Sequence, residues 1–153
     1  MQVALESRSG EPWYADAREA LETEAAATFG DGAELMELCR RMMPLYYARY
    51  GEREQAHVAS LDGDTVNPGA TRQWEADLWA TFDLRPKLAR ITAPTLVITG
   101  EHDFIAGPAA QVFDALPDGR RVVIEDCGHM TFVEAPARFR EAVLTFLGVG
   151  AAA

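Results

Sequence analysis

PTLVITGEHD at residues 94–103 and VVIEDCGHMTF at residues 122–132 are the stretches that decide the fold. Residues 95–99, Thr-Leu-Val-Ile-Thr, are rich in β-branched side chains, too few for a stable helix, and bracketed by Pro94 and Gly100. They predict a buried strand. Residues 121–125 predict a second strand. Between the two, Pro108 suits a first helical position, and Ala109, Val112, Phe113 and Leu116 follow at helical spacing. Pro117-Asp118-Gly119 is the turn cluster that stops this helix. A strand–helix–strand unit with so short a crossover has parallel strands and a right-handed connection. Asp103 lies just past the first strand and His129 just past the second, so both emerge beyond the carboxyl ends of neighbouring strands. That edge is where open α/β sheets bind ligands.

An aspartate and a histidine at such an edge suit acid–base chemistry. A neutral imidazole is a general base near neutral pH. A carboxylate on its other nitrogen fixes the tautomer and stabilises the imidazolium that forms. The competing role for Asp103 is to shape a turn, which aspartate does readily. The other histidines fit chemistry less well. His57 sits in a polar stretch, and the side chain of His102, adjacent to Asp103, is expected to point elsewhere. A metal site at Cys127 and His129 lacks accompanying C-x-x-C or H-x-x-x-H spacing, and residues 51–69 contain no calcium-loop pattern. No metal and no cofactor are therefore expected.

From Phe82 to Leu147 the chain resembles the C-terminal part of the α/β-hydrolase fold, close to its proline-iminopeptidase-like and esterase-like branches. APTLVITGEHD at 93–103, CGH at 127–129 and APARFREAVLTFL at 135–147 carry the resemblance. It implies a triad in the chain order serine, acid, histidine, with Asp103 as the acid and His129 as the base. The serine has no counterpart here. No G-x-S-x-G occurs, and Ser7, Ser9 and Ser60 are the only serines. No HGGG-type oxyanion loop is present either. Cys39 lies inside a helical pattern and Cys127 shares a short loop with His129, so neither thiol replaces the serine. The nucleophile half is expected to be missing from this chain, which alone is expected to be inactive.

The 153 residues carry 24 acids and 14 Lys or Arg, a net charge of −10 spread along the chain, with 48% hydrophobic residues. This is the composition of a soluble globular protein, with no basic patch for nucleic acid or an anionic membrane. Two distant cysteines suggest reduced thiols in a cytoplasm, and the first residues lack a secretion signal. Residues 12–29 predict a helix starting at Pro12, and 33–49 a second that Pro44 kinks or splits. Residues 51–69 are polar and broken by Asp62-Gly63-Asp64 and Asn67-Pro68. A third helix is expected over 70–82, burying Trp74, Leu78 and Phe82, followed by a short turn over 85–89. The last helix starts near Pro136 and is expected to bury Phe139, Val143, Phe146 and Leu147.

The resulting fold class is α/β: a helical cap-like segment over residues 1–90, then the C-terminal βαβα portion of an α/β-hydrolase core over 91–150. Caps of that family shape the substrate pocket, and Trp13, Tyr46, Tyr47, Tyr50, Trp74 and Trp79 could line one. The resemblance implies a serine hydrolase acting on a small-molecule ester, amide or short peptide once complemented. The partner is then an N-terminal half, or another copy joined through the edge of the 95–99 strand. The alternative is a non-catalytic interaction module or a truncated pseudoenzyme of the same fold.

Overall fold

The computed structural model describes residues 1–26, 31–77, 83, 85–106 and 113–149. Two compact units divide the chain: Met1–Leu45 with Gln55–Asp83, and Tyr46–Glu54 with Leu84–Ala153. The short segment Tyr46–Glu54, grouped by sequence with the cap-like part, packs with the strands.

In the first unit, α1 (Gln2–Glu6) precedes α2 (Tyr14–Ala26) and α3 (Gly32–Met42). Helix α3 starts where the Asp31 side chain accepts the Ala33 N–H at 2.8 Å, so an otherwise unpaired donor is satisfied. It ends at Met42, and the chain tightens into a 3₁₀ turn over Met43–Tyr46 around Pro44, whose missing N–H cannot continue the α-helix. Ala20 of α2 and Leu35, Leu38 and Met42 of α3 form the buried core, with Leu21, Cys39 and Val66 against it. Helix α2 begins at Tyr14 rather than Pro12, and residues 27–30 lie outside the described residues.

Residues expected to be broken contain α4 (Glu52–Ser60). Periodicity could not show it because α4 buries no residue. Its support is local: no Gly or Pro interrupts it, and Glu52 and Glu54 complement the positive N-terminal end. Helix α5 (Pro68–Asp77) is capped by Asn67, whose Oδ1 accepts the N–H groups of Gly69 at 3.0 Å and Ala70 at 3.1 Å. The burial expected of Trp74, Leu78 and Phe82 falls outside the described side chains.

The second unit carries a 3₁₀ turn (Arg85–Arg90), then β1 (Thr95–Gly100) and β2 (Gly119–Ile124). The strands pair in parallel, with Leu96 opposite Arg120, Ile98 opposite Val122 and Gly100 opposite Ile124. Most of the crossover, residues 107–112, lies outside the described residues; its end at Leu116 is buried. Helices α6 (Thr131–Glu134) and α7 (Pro136–Phe146) follow. Ile124, Cys127 and Ala135 form the core here, with Ile98, Val122 and Phe139 packed on it. One sheet face therefore meets α7, as period-2 alternation requires. Leu147 departs from expectation. It caps the end of α7, one residue past the last helical turn, and is 61% exposed. Val143 and Phe146 are only partly covered.

Candidate active site

Parallel pairing carries both strand ends to one edge, and the backbone beyond them continues the ladder. The Glu101 N–H donates to Ile124 O at 2.9 Å and the His102 N–H to Cys127 O at 2.9 Å. This approach is so close that a side chain at Gly100 would collide with the carbonyls of Cys127 and Gly128. Glycine at 100 is thus a steric requirement for the two loops to meet.

Asp103 and His129 are brought together there. Asp103 is buried, with 5% of its surface exposed, and its Oδ2 lies 3.0 Å from His129 Nδ1. Its Oδ1 accepts the N–H groups of Ile105 and Ala106, each at 2.9 Å. One oxygen thus shapes the turn while the other faces the imidazole. A carboxylate facing Nδ1 suits the tautomer in which that nitrogen carries the proton, the one that leaves the Nε2 lone pair free. The imidazole remains partly exposed.

Three further groups set the histidine's position. The His129 N–H donates to Tyr46 O at 2.7 Å. The Tyr46 ring stands edge-on to the imidazole, 5.8 Å between centroids, and edge-on to Phe104 at 5.6 Å. Glu134 accepts the Gly128 N–H on Oε1 at 2.8 Å and the Ala48 N–H on Oε2 at 2.7 Å. Its own backbone carbonyl accepts from Arg53 Nη1 at 2.9 Å. Burial raises the Glu134 carboxyl above its ordinary range, against the pull of those two backbone donors.

Sequence reasoning missed Glu134. The available signal was a lone carboxylate inside an otherwise apolar run, Thr131-Phe132-Val133-Glu134-Ala135, five residues past the histidine. A half-buried charge of that kind needs partners.

Of the candidate pocket aromatics, Tyr46 touches the imidazole, whereas Tyr47 is buried and lies 5.8 Å from the Tyr50 ring. Trp79 and the Trp74 side chain lie outside the described residues. Cys127 is fully buried and its thiol is pushed up to about 12, first by burial and then by Glu134, so it stays protonated. That removes it as a nucleophile. Ser7 and Ser60 each hydrogen-bond a backbone carbonyl three residues earlier. His57 falls on α4, and His102 is half-exposed, 3.9 Å from a Glu101 oxygen. Glu101, His102 and Asp126 each offer one ligand atom within 4.8 Å of the others, but all three are exposed. Glu101 Oε2 already accepts the Asp126 N–H there. No described helix is long and apolar enough to cross a membrane.

A parallel pair with an acid after one strand and a histidine after the next defines the class, and residues 17–136 match the alpha/beta hydrolase fold. The chain belongs to the α/β-hydrolase fold family. It is 41% identical over 133 residues to BpoC of Mycobacterium tuberculosis, a candidate non-heme bromoperoxidase, covering 74% of this chain and 49% of that protein. It is 35% identical over 97 residues to a pimeloyl-[acyl-carrier protein] methyl ester esterase of Nitrosomonas europaea, covering 58% and 38% respectively. Among solved structures it is similar to proline iminopeptidase of Mycobacterium smegmatis, with a TM-score of 0.51 and 25% identity over 96% of this chain and 51% of that one. The chain spans about half or less of the length of these relatives.

Proposed function

We propose that the chain supplies the acid, Asp103, and the base, His129, of a Ser-Asp-His triad that hydrolyses an ester, amide or short-peptide bond in a small molecule. The serine and the oxyanion donors come from a segment absent from this sequence. The observation that carries the reading is the 3.0 Å contact between Asp103 Oδ2 and His129 Nδ1, made by a buried carboxylate to a partly exposed imidazole.

In the reaction, His129 Nε2 takes the serine hydroxyl proton as the oxygen attacks the substrate carbonyl. Asp103 stabilises the imidazolium through Nδ1–H. The imidazolium then protonates the leaving alcohol or amine, which leaves an acyl-enzyme. A water deprotonated by His129 attacks that ester, and the proton returns to the serine as the acid departs. The helical segment within residues 1–90 is the counterpart of the cap of such an enzyme. Two unpaired thiols, Cys39 and Cys127, suit the reducing cytoplasm.

The missing segment is also the expected partner. Among the described residues the sheet holds β1 and β2 alone, and β1 contains the uncharged run Leu96-Val97-Ile98. A strand edge of that composition is a template for another strand, and a two-stranded sheet is marginal by itself. An open groove of about 460 Å³ between the sheet and α7, lined by Leu96, Val122, Ala142 and Phe146 among others, offers further apolar surface. None of its lining residues belongs to the Asp103–His129 pair. Alone, the chain is expected to self-associate through the β1 edge or to fold only marginally.

The test supplies in trans an N-terminal half carrying the early strands and G-x-S-x-G, and follows hydrolysis of an activated ester. The expected result is turnover in the mixture that both Asp103→Asn and His129→Ala remove, with light scattering of the chain falling as the complex forms. Turnover that survives His129→Ala would overturn the assignment.

A further inference from the structure

His129 is held by a device that the triad itself does not include. Its peptide is gripped from three directions by groups far apart in sequence. On one side, its own N–H donates to Tyr46 O at 2.7 Å. On the second, the preceding residue, Gly128, lies so close to the Tyr46–Ala48 backbone that an added Cβ would sit 2.6 Å from both Tyr46 O and Ala48 N. On the third, one carboxylate closes the contact. Glu134 Oε1 accepts from Gly128 at 2.8 Å while Oε2 accepts from Ala48 at 2.7 Å. Residues 48 and 134 are 86 positions apart, so this single side chain ties two distant backbones at the point where the histidine leaves one of them.

We infer that Glu134 is a positioning residue for His129: its two oxygens tie the Gly128 N–H, one residue before the histidine, to the Tyr46–Ala48 segment and so aim Nδ1 at Asp103. The inference deepens the triad reading and rests on it. A catalytic imidazole must hold its partner within hydrogen-bond reach, and its ring can be no better placed than the peptide that carries it. The lock needs acceptors on both oxygens, because both contacts are N–H donors. Glutamine has only one acceptor and turns an NH₂ toward the other N–H. The carboxylate is therefore chosen for its two acceptors as well as its charge. The Cys127 thiol, 3.8 Å from Oε1, adds a weak third donor to the same oxygen.

The experiment is proton NMR of the full chain, reading the low-field resonance of the His129 Nδ1 proton shared with Asp103. In the wild type it should be present, and Asp103→Asn should abolish it. If the wild type lacks it, the triad reading fails before Glu134 is in question. In Glu134→Gln the resonance should be lost or broadened by solvent exchange although Asp103 and His129 are both intact. The Gly128 and Ala48 amide protons should move upfield together. Leu38→Ala, a core truncation in the other compact unit, should leave all three signals in place and so separates positioning from general destabilisation. If Glu134→Gln does not fold, the wild type alone decides. The Nδ1 resonance should then shift in step with the Gly128 and Ala48 amides as those amides report protonation of Glu134. A full-strength Nδ1 resonance in folded Glu134→Gln, or a wild-type Nδ1 resonance that stays fixed while those amides shift, would overturn the inference.

Discussion

The two compact units hold themselves together by different means. The helical unit relies on a stripe of apolar side chains, Ala20, Leu35, Leu38 and Met42, and on ion pairs at its surface. Arg41 reaches Asp16 at 2.8 Å and Glu19 at 3.0 Å, and both acids are largely exposed. The strand-bearing unit also has an apolar centre, but at its active edge the contacts are backbone N–H groups meeting fixed acceptors: Ile124 O, Cys127 O, Tyr46 O and the carboxylates of Asp103 and Glu134. Apolar contacts tolerate exchange among shapes of similar volume, whereas directional bonds to a buried peptide do not. The first unit is thus built to be stable while varying, and the second to hold one geometry.

That contrast can be broken or sharpened by substitution. The largest effect is expected from Leu38→Ala, which empties a buried site in the helical core. Chemical denaturation should record a loss of about 2–5 kcal/mol, with the Asp103–His129 contact untouched. Glu134→Ala should follow. It leaves the N–H groups of Gly128 and Ala48 without their charged acceptor, at a cost of about 2–4 kcal/mol. Unlike the Leu38 change, it should also disturb the His129 signals in NMR. The smallest effect belongs to Arg41→Gln. Its partner acids are exposed, so the melting temperature should barely move. If Arg41→Gln proved as costly as Leu38→Ala, the division between an apolar unit and a directional one would not stand.

Much of the strand-bearing unit was legible in the sequence because its signals are local. A β-branched run between Pro94 and Gly100 permits little besides a strand, and a crossover this short forces parallel pairing. Asp103 and His129 were visible for the same reason: each lies just past a strand whose end the sequence marks. What stayed hidden depends on contacts across the chain. Helix α4 buries no residue and so has no stripe to read. Leu147 continued the helical period, but the helix stops one residue earlier. Glu134 matters through partners that no spacing rule links to it. Gly100 looked like punctuation at the end of a strand, whereas its role, like that of Gly128, is to let backbones approach too closely for any side chain.

The central claim is that this chain carries a charge-oriented base without its own nucleophile. Hydrolysis of an activated ester by the purified chain alone, measured beside His129→Ala, tests it most directly. The expected result is that neither protein exceeds the buffer rate, since the sequence offers no G-x-S-x-G serine for the imidazole to deprotonate. Turnover by the wild type that disappears in His129→Ala would contradict the account, because His129 would then be activating a nucleophile or a water within this chain.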